Sequence, residues 1–483
     1  MLDGMRIPER EPTQIERDAI RTSEHIQQLG ESAEGRTPDR DLDEILRTRH
    51  DEIEGALRFE TVWKGDEPQS LVVSRQLLVP NSSRRDGAEV ELTTKRGFRN
   101  LSVGDPRCAK LHERVWAYSF DGGSDDEARE AVDQAVTFLN DPSNDLGGVV
   151  GAARPLVTAL QMVVKSVDGP APTSVIPQDD QEPLTTSPDP ITVAVIDTGI
   201  VKELREDGWL NDVARDEDDP NDPEDDDNID KLDVFHHLGK LDFAAGHGTF
   251  VAGIVRQVDP EANIVVYRAL DTDGVASEEA VACAMIRAAD DHAHVINLSV
   301  GMKALDPANP CPALQAAVEY IGGLDPRPAI VAAAGNYGSE DPVYPAALEG
   351  VISVAARRGL EDPAMKNPPT PAGAEWSSRG DWVRCSTIGE GVVSTFVRGE
   401  EDTVDFGGDD SYPLDGVGES WAVWSGTSFA APQIAGYIAR QHRADRGTGR
   451  TPQDTATTLF PTTGVPDGYG TPVVLLPGTP RAT

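Results

Sequence analysis

The chain has no apolar run approaching about 18 residues, the length a membrane-spanning helix needs, so no membrane span is expected. Its first residues, Met1-Leu2-Asp3-Gly4-Met5-Arg6-Ile7-Pro8, lack the apolar stretch of a secretory signal. Cysteine is scarce: Cys108, Cys283, Cys311 and Cys385 are dispersed and show no metal-ligand spacing. They are expected as free, mostly buried thiols in a reducing compartment. Cytoplasmic residence is the matching expectation, with secretion by an unrecognised route left open. Basic residues are few, 43 Lys plus Arg against 83 Asp plus Glu, for a formal net charge of -40. Such a surface repels nucleic acid and anionic membranes, so neither is an expected partner. Aromatics make up only 5% of the 483 residues, yet hydrophobic residues reach 38%. That suits two domains, one large enough for a full core.

The texture changes along the chain. Residues 1–65 are polar and charged, with helical spacing at Ile15–Ile20 and Leu42–Leu46, and read as a helical or partly disordered arm. Residues 66–166 mix strand pieces (Leu71–Val73, Leu77–Val79, Val115–Phe120, Val157–Val167) with an amphipathic helix, Asp125–Asn140, opened by Ser124 and Asp125 as cap candidates. A small α+β domain is expected there. Residues 167–190, rich in Pro, Asp, Ser and Thr, read as a linker. From Ile191 to about 475, short apolar strands alternate with helices, and 476–483 form a tail. The expected strands are Ile191–Ile196, Ile264–Tyr267, Val295–Val300, Ile330–Ala334 and Val351–Ala355, with helices at His247–Arg256, Ser277–Asp290, Ala313–Ile321 and Ser428–Arg440. Continuous apolar strands between helices predict an α/β fold with a parallel sheet buried on both faces.

Three blocks carry chemistry. Asp197 ends the apolar run Val193-Ala194-Val195-Ile196, where the carboxyl edge of a parallel sheet opens to ligands. His247 stands between Gly246 and Gly248, which let the backbone turn sharply and the ring face a cleft. Ser428, in Ser425-Gly426-Thr427-Ser428-Phe429-Ala430-Ala431-Pro432, would start a helix whose dipole favours nearby negative charge. Pro432 is expected in that helix's first turn. A carboxylate, an imidazole and a hydroxyl are what acyl transfer requires. Asn336, after the small-residue run Ala332-Ala333-Ala334-Gly335, offers an amide donor for an oxyanion.

With Val295-Ile296-Asn297-Leu298-Ser299-Val300-Gly301 and Tyr344-Pro345-Ala346, these blocks resemble the subtilisin-family (subtilase) serine proteases, in the family's order, over roughly Ile191 to Arg440. The resemblance implies a seven-stranded parallel sheet flanked by helices and a serine endopeptidase acting on polypeptides through an acyl-enzyme. It implies Asp197 as orienting carboxylate, His247 as general acid/base and Ser428 as nucleophile. Asn336 and the Ser428 backbone N–H would form the oxyanion hole. Ser299, Val300 and Gly301 would pair with the substrate backbone, and Ala332, Ala333, Ala334 and Gly335 would wall the pocket before the scissile bond.

There are departures from the family pattern. Phe429 replaces a usual Met, a packing change expected to matter little. Arg384–Gly389 lacks the usual Ala-Pro-Gly. An acidic insertion runs from Asp216 to Asp233. No cofactor is required for the chemistry. Calcium is a candidate ligand for that insertion, through Asp225, Asp227 or Asp230. The N-terminal region reads equally as an inhibitory propeptide or as a regulatory module, so intramolecular inhibition is one expected interaction. A subtilase-like module that binds peptides without cutting them is the rival reading.

Overall fold

The computed structural model describes residues 38–478 apart from 54, 66, 82–84, 103–105, 147, 160–169, 174–189, 216–227, 236–238, 307–309, 361–368, 402–409, 414–415, 417 and 462–466. Residues 1–37 of the expected arm, most of the 167–190 segment and the end of the tail lie outside these.

Seven parallel strands form the centre of the molecule, in the spatial order β21-β16-β15-β13-β11-β8-β9. They are β8 (Thr192–Asp197), β9 (Asn263–Arg268), β11 (Val295–Leu298), β13 (Ala329–Ala333), β15 (Val351–Arg357), β16 (Cys385–Ile388) and β21 (Thr471–Pro472). The five strands expected from the apolar runs are all present, within a residue or two at each end. Val193, Ala194, Val195 and Ile196 are all buried, which explains why their run is continuous rather than alternating. Helices α3 (His247–Val258), α4 (Glu278–Asp290), α5 (Pro312–Gly322) and α6 (Thr427–Asp445) flank the sheet. From β8 the chain adds β9 on one side and β11 on the other. The crevice at the carboxyl ends of β8 and β11 is therefore the switch point where such sheets bind ligands. Asp197 and Ser299 stand at that crevice.

The N-terminal part supplies helix α1 (Pro38–Glu52) and an antiparallel hairpin, β1 (Phe59–Lys64) with β2 (Glu67–Val73). It also holds a three-stranded sheet ordered β3 (Gln76–Pro80), β5 (Val115–Phe120), β4 (Phe98–Asn100). Helix α2 (Asp125–Asn140) covers one face of that sheet, packing Val132, Ala135 and Leu139 among Leu77, Val79 and Tyr118. Its start is the expected Ser124, in a capping box: Glu127 N donates to Ser124 Oγ at 3.3 Å and Ser124 N to Glu127 Oε2 at 2.7 Å. The alternate residues Leu78, Val115 and Ala117 face the other way and join the main core. The small sheet is thus sandwiched between its own helix and the larger unit, against α5.

Two short strands continue the N-terminal part onto the larger unit. Strand β6 (Val157–Ala159) pairs antiparallel with β10 (Val275–Ser277), and β7 (Ala171–Pro172) pairs with β20 (Trp421–Trp424). Leu46 of α1, Phe59, Val73, Val157 and Val275 form one apolar cluster that holds β6 in place. Buried side chains of this size contribute roughly 1.5–3 kcal/mol each.

The thiol expectation is corrected for two of the four cysteines. Cys108 and Cys283 are disulfide-bonded, while Cys311 and Cys385 are free and buried. The partners are 175 residues apart, and only docking of the N-terminal part on α4 brings their Cα atoms to 5.2 Å. Spacing along the chain carries no sign of such a pairing.

Candidate active site

Asp197 is fully buried at the end of β8. Its Oδ1 accepts from His247 Nδ1 at 2.7 Å and from Thr198 N at 2.8 Å. The turn that follows is too tight for side chains. Gly199 has φ +114°, and a Cβ on Gly248 would lie 2.1 Å from Gly199 O. A second carboxylate braces the same turn. Asp230 Oδ2 accepts from Thr198 Oγ1 at 2.9 Å and Gly246 N at 2.8 Å, and its Oδ1 accepts from Leu232 N at 3.2 Å. Thr198 Oγ1 in turn accepts from Gly248 N at 3.0 Å. Burial, more than the nearby Asp197 charge, pushes the Asp230 carboxyl up to about 6.

Asp230 is therefore corrected as a metal candidate, because its oxygens are committed to holding the Asp and His blocks together. Asp225 and Asp227 lie outside the described residues. Among the described residues no cluster of His, Cys, Asp or Glu has the form of a metal site.

His247 is 2% exposed and opens α3 from Gly246, a left-handed cap residue at φ +83°. Its ring is boxed by Trp424 and Phe429, each with centroid 5.3 Å away. Phe429 also packs on Phe250 at 4.7 Å and Trp424 at 4.9 Å. The Phe429 ring thus forms part of the imidazole's wall. With Nδ1 donating to Asp197, the neutral ring keeps Nε2 as the acceptor, the tautomer a general base needs.

Ser428 is the second residue of α6, and its Oγ donates to Ser299 O at 3.2 Å rather than to the imidazole. The return contact has a local cause. Pro432 sits beyond the first turn, contrary to expectation, and its missing N–H frees the carbonyl of Ser428 four residues back. Ser299 Oγ donates to that carbonyl at 2.8 Å and accepts from Asn297 Nδ2 at 3.0 Å. Asn336 is oriented by Thr427, a residue whose role the motif reading missed. Asn336 Oδ1 accepts from Thr427 N and Oγ1, both at 2.9 Å, while Thr427 Oγ1 accepts from Gly335 N at 3.0 Å. The amide's donor end, Nδ2, lies 3.7 Å from where a Cβ on Gly426 would stand.

The other named residues fall in two groups. Ser299, Gly301, Gly335 and Asn336 gather around the start of α6, with Gly301 also receiving Thr158 Oγ1 of β6 at 3.3 Å. Val300, Ala332, Ala333 and Ala334 are buried. Tyr344 ends β14 (Val343–Tyr344), which pairs with β12 (Met302–Lys303) directly after Gly301. The segment lacking Ala-Pro-Gly supplies β16, and the Gly389 carbonyl after it accepts from Gly426 N at 2.8 Å.

The family model described as "Subtilase family" matches residues 189–471. The thermophilic serine proteinase of Bacillus sp. (strain AK1) is 32% identical over 203 residues, covering 40% of this chain and 41% of that protein. Thermitase of Thermoactinomyces vulgaris is 31% identical over 201 residues, 40% of this chain and 59% of its own length. The chain thus spans less than two thirds of either relative. A solved structure described as a cold adapted subtilisin-like serine proteinase is 22% identical, with a TM-score of 0.41, covering 65% of this chain and 97% of that one.

Proposed function

Because the chain belongs to the subtilase family, we propose that it is a serine endopeptidase whose N-terminal region restrains it by occupying the cleft. The observation that carries the catalytic reading is the 2.7 Å bond from buried His247 Nδ1 to buried Asp197, beside the helix that begins with Ser428. Ser428 Oγ turns from Ser299 O to attack the substrate carbonyl, passing its proton to His247 Nε2. Asp197 stabilises the imidazolium that forms. Asn336 Nδ2 and the Ser428 backbone N–H meet the oxyanion, with Thr427 holding the Asn336 amide in place. The imidazolium then protonates the leaving amine, and water attacks the acyl-enzyme with His247 again as base.

The reading of residues up to 166 as an inhibitor, rather than a separate sensor, is supported by β6. Its antiparallel pairing on β10, with Thr158 on Gly301, is how an added peptide strand would lie between the two edges of the cleft. Glu278, at the start of α4, ties the same segment down: its Oε1 accepts from Leu156 N at 3.0 Å and its Oε2 from Ala313 N at 3.2 Å. A cut in the linker, residues 167–190, would separate the two parts, and residues 191–475 would then be the catalytic domain. The Cys108–Cys283 bond keeps the two parts joined after such a cut.

A fluorophosphonate probe is expected to label wild-type protein and not Ser428→Ala. N-terminal sequencing of incubated protein is expected to find a new terminus at or near residues 167–190 in the wild type alone. Labelling that persists in Ser428→Ala sinks the nucleophile assignment. Absence of both labelling and casein cleavage favours a module that binds peptides without cutting them.

A further inference from the structure

Helix α1 places a guanidinium in a pocket built by the larger unit. Arg49 is 1% exposed. Its Nε donates to Asp273 Oδ2 at 2.7 Å and its Nη2 to Asp273 Oδ1 at 2.8 Å. Nη2 also donates to Asp242 Oδ1 at 2.8 Å, and the Phe235 ring centroid lies 5.5 Å from the guanidinium carbon. The two-pronged contact with Asp273 is a planar match that lysine cannot reproduce. The pocket's own backbone positions both carboxylates. Phe243 N donates to Asp273 Oδ1 at 3.2 Å, and Phe235 N to Asp242 Oδ2 at 3.1 Å.

The segments that carry the pocket are tied to each other and to the cleft: Ala244 N donates to Thr272 O at 2.9 Å, and His247 N donates to Ala244 O at 3.1 Å. Asp242 precedes His247 by five residues, and Asp273 precedes β10, the strand that holds β6, by two. Next to Arg49, the buried His50 brings in an Nε2 that makes no hydrogen bond, 3.4 Å from Asp271 Oδ2 and 3.9 Å from Asp273 Oδ2. Burial, and then the charge of Asp273, push the Asp242 carboxyl above its ordinary range, and the Arg49 guanidinium pulls it back down.

We infer that Asp242 and Asp273 form a guanidinium receptor that selects an arginine side chain in the polypeptide substrate, and that Arg49 fills it while the N-terminal region is docked. The inference rests on the proteolytic reading above. When α1 departs, two carboxylates in a water-poor recess lose their cation, which is unfavourable until another takes its place. A substrate arginine restores the same bidentate contact.

The test uses the full-length chain, incubated until self-processing is complete and then reduced to part Cys108 from Cys283. Internally quenched peptides carry one arginine walked along the N-terminal side of the scissile bond. Each has a citrulline twin that keeps the shape and removes the charge. At one position, kcat/KM for arginine is expected to exceed that for citrulline by on the order of 100-fold. Asp273→Asn is expected to bring that ratio near one. The ratio is taken within one protein, so a general loss of activity does not imitate it. Ethylguanidinium should compete with the arginine peptide on the wild type, a measurement that does not depend on the variant's folding. Peptides that are cut with ratios near one at every position, or no competition by ethylguanidinium, overturn this proposal alone. No cleavage of any peptide together with no fluorophosphonate labelling overturns it along with the proteolytic reading.

Discussion

Reducing the Cys108–Cys283 bond should loosen the N-terminal part measurably, and the size follows from the loop it closes. A link across 175 residues removes about 17 cal/mol/K from the unfolded chain, or about 5 kcal/mol at 25 °C on the chain-entropy account. Unfolding entropy near 2.1 cal/mol/K per residue gives about 1 kcal/mol/K for a chain of 483 residues. The melting temperature should therefore fall by about 5 °C on reduction. Full-length Ser428→Ala is the protein to use, since self-cleavage cannot then change the chain during the scan. Thiol counting gives the companion measurement. In denaturant, two cysteines should be alkylated before reduction and all four afterwards, because only Cys311 and Cys385 are free. In wild-type protein the processed halves should migrate as one species without reductant and as two with it. An unchanged melting temperature, or four reactive thiols before reduction, refutes the tether.

Ser428→Ala and His247→Ala should each lower turnover by on the order of 10⁶, the size found for subtilisin itself, in a peptide-hydrolysis assay normalised to folded protein. Asn336→Ala should cost about 10²–10³ in kcat with little change in KM, because its donor acts on charge that develops only in the transition state; the subtilisin asparagine is the source of that magnitude. Thr427→Val should fall in the same direction by a smaller factor, since it removes the Oγ1 anchor of the Asn336 amide at 2.9 Å and leaves only the backbone N–H of residue 427 to hold it. Gly248→Ala should yield no active protein, as its Cβ would meet Gly199 O at 2.1 Å, and circular dichroism with a labelling assay would show this. For Asp230 the sign runs as for any carboxyl held above its ordinary range. The folded chain keeps a proton that the unfolded chain has lost, so stability falls as pH rises from 3.8 to about 6 and then levels. Asp230→Asn should remove that slope in urea titrations across the window, and parallel pH profiles for the two proteins would count against it.

Much of the larger unit was legible along the chain, and the reason is local. A strand buried on both faces must be a continuous apolar run, as Val193–Ile196 and Ile330–Ala334 are, and such runs need no knowledge of their partners. The helix Asp125–Asn140 could be read the same way, from its apolar spacing and the Ser124 cap. Asp197, His247, Ser428 and Asn336 stood out because short glycine-rich turns around reactive groups are themselves sequence patterns. The five expected strands agree with the observed ones to within a residue or two, with errors confined to the ends.

What no local pattern revealed depends on distant segments meeting. Cys108 finds Cys283, Arg49 finds Asp242 and Asp273, and Thr158 finds Gly301 only after the N-terminal part docks on the parallel-sheet unit. Asp230 changed from a surface carboxylate in an acidic stretch to a buried brace because the turn at Thr198 folds over it. Burial and long-range hydrogen bonding belong to pairs of segments, so they leave no imprint on either segment read alone. The identity of the reactive groups is written in the chain, and their partners are chosen by packing.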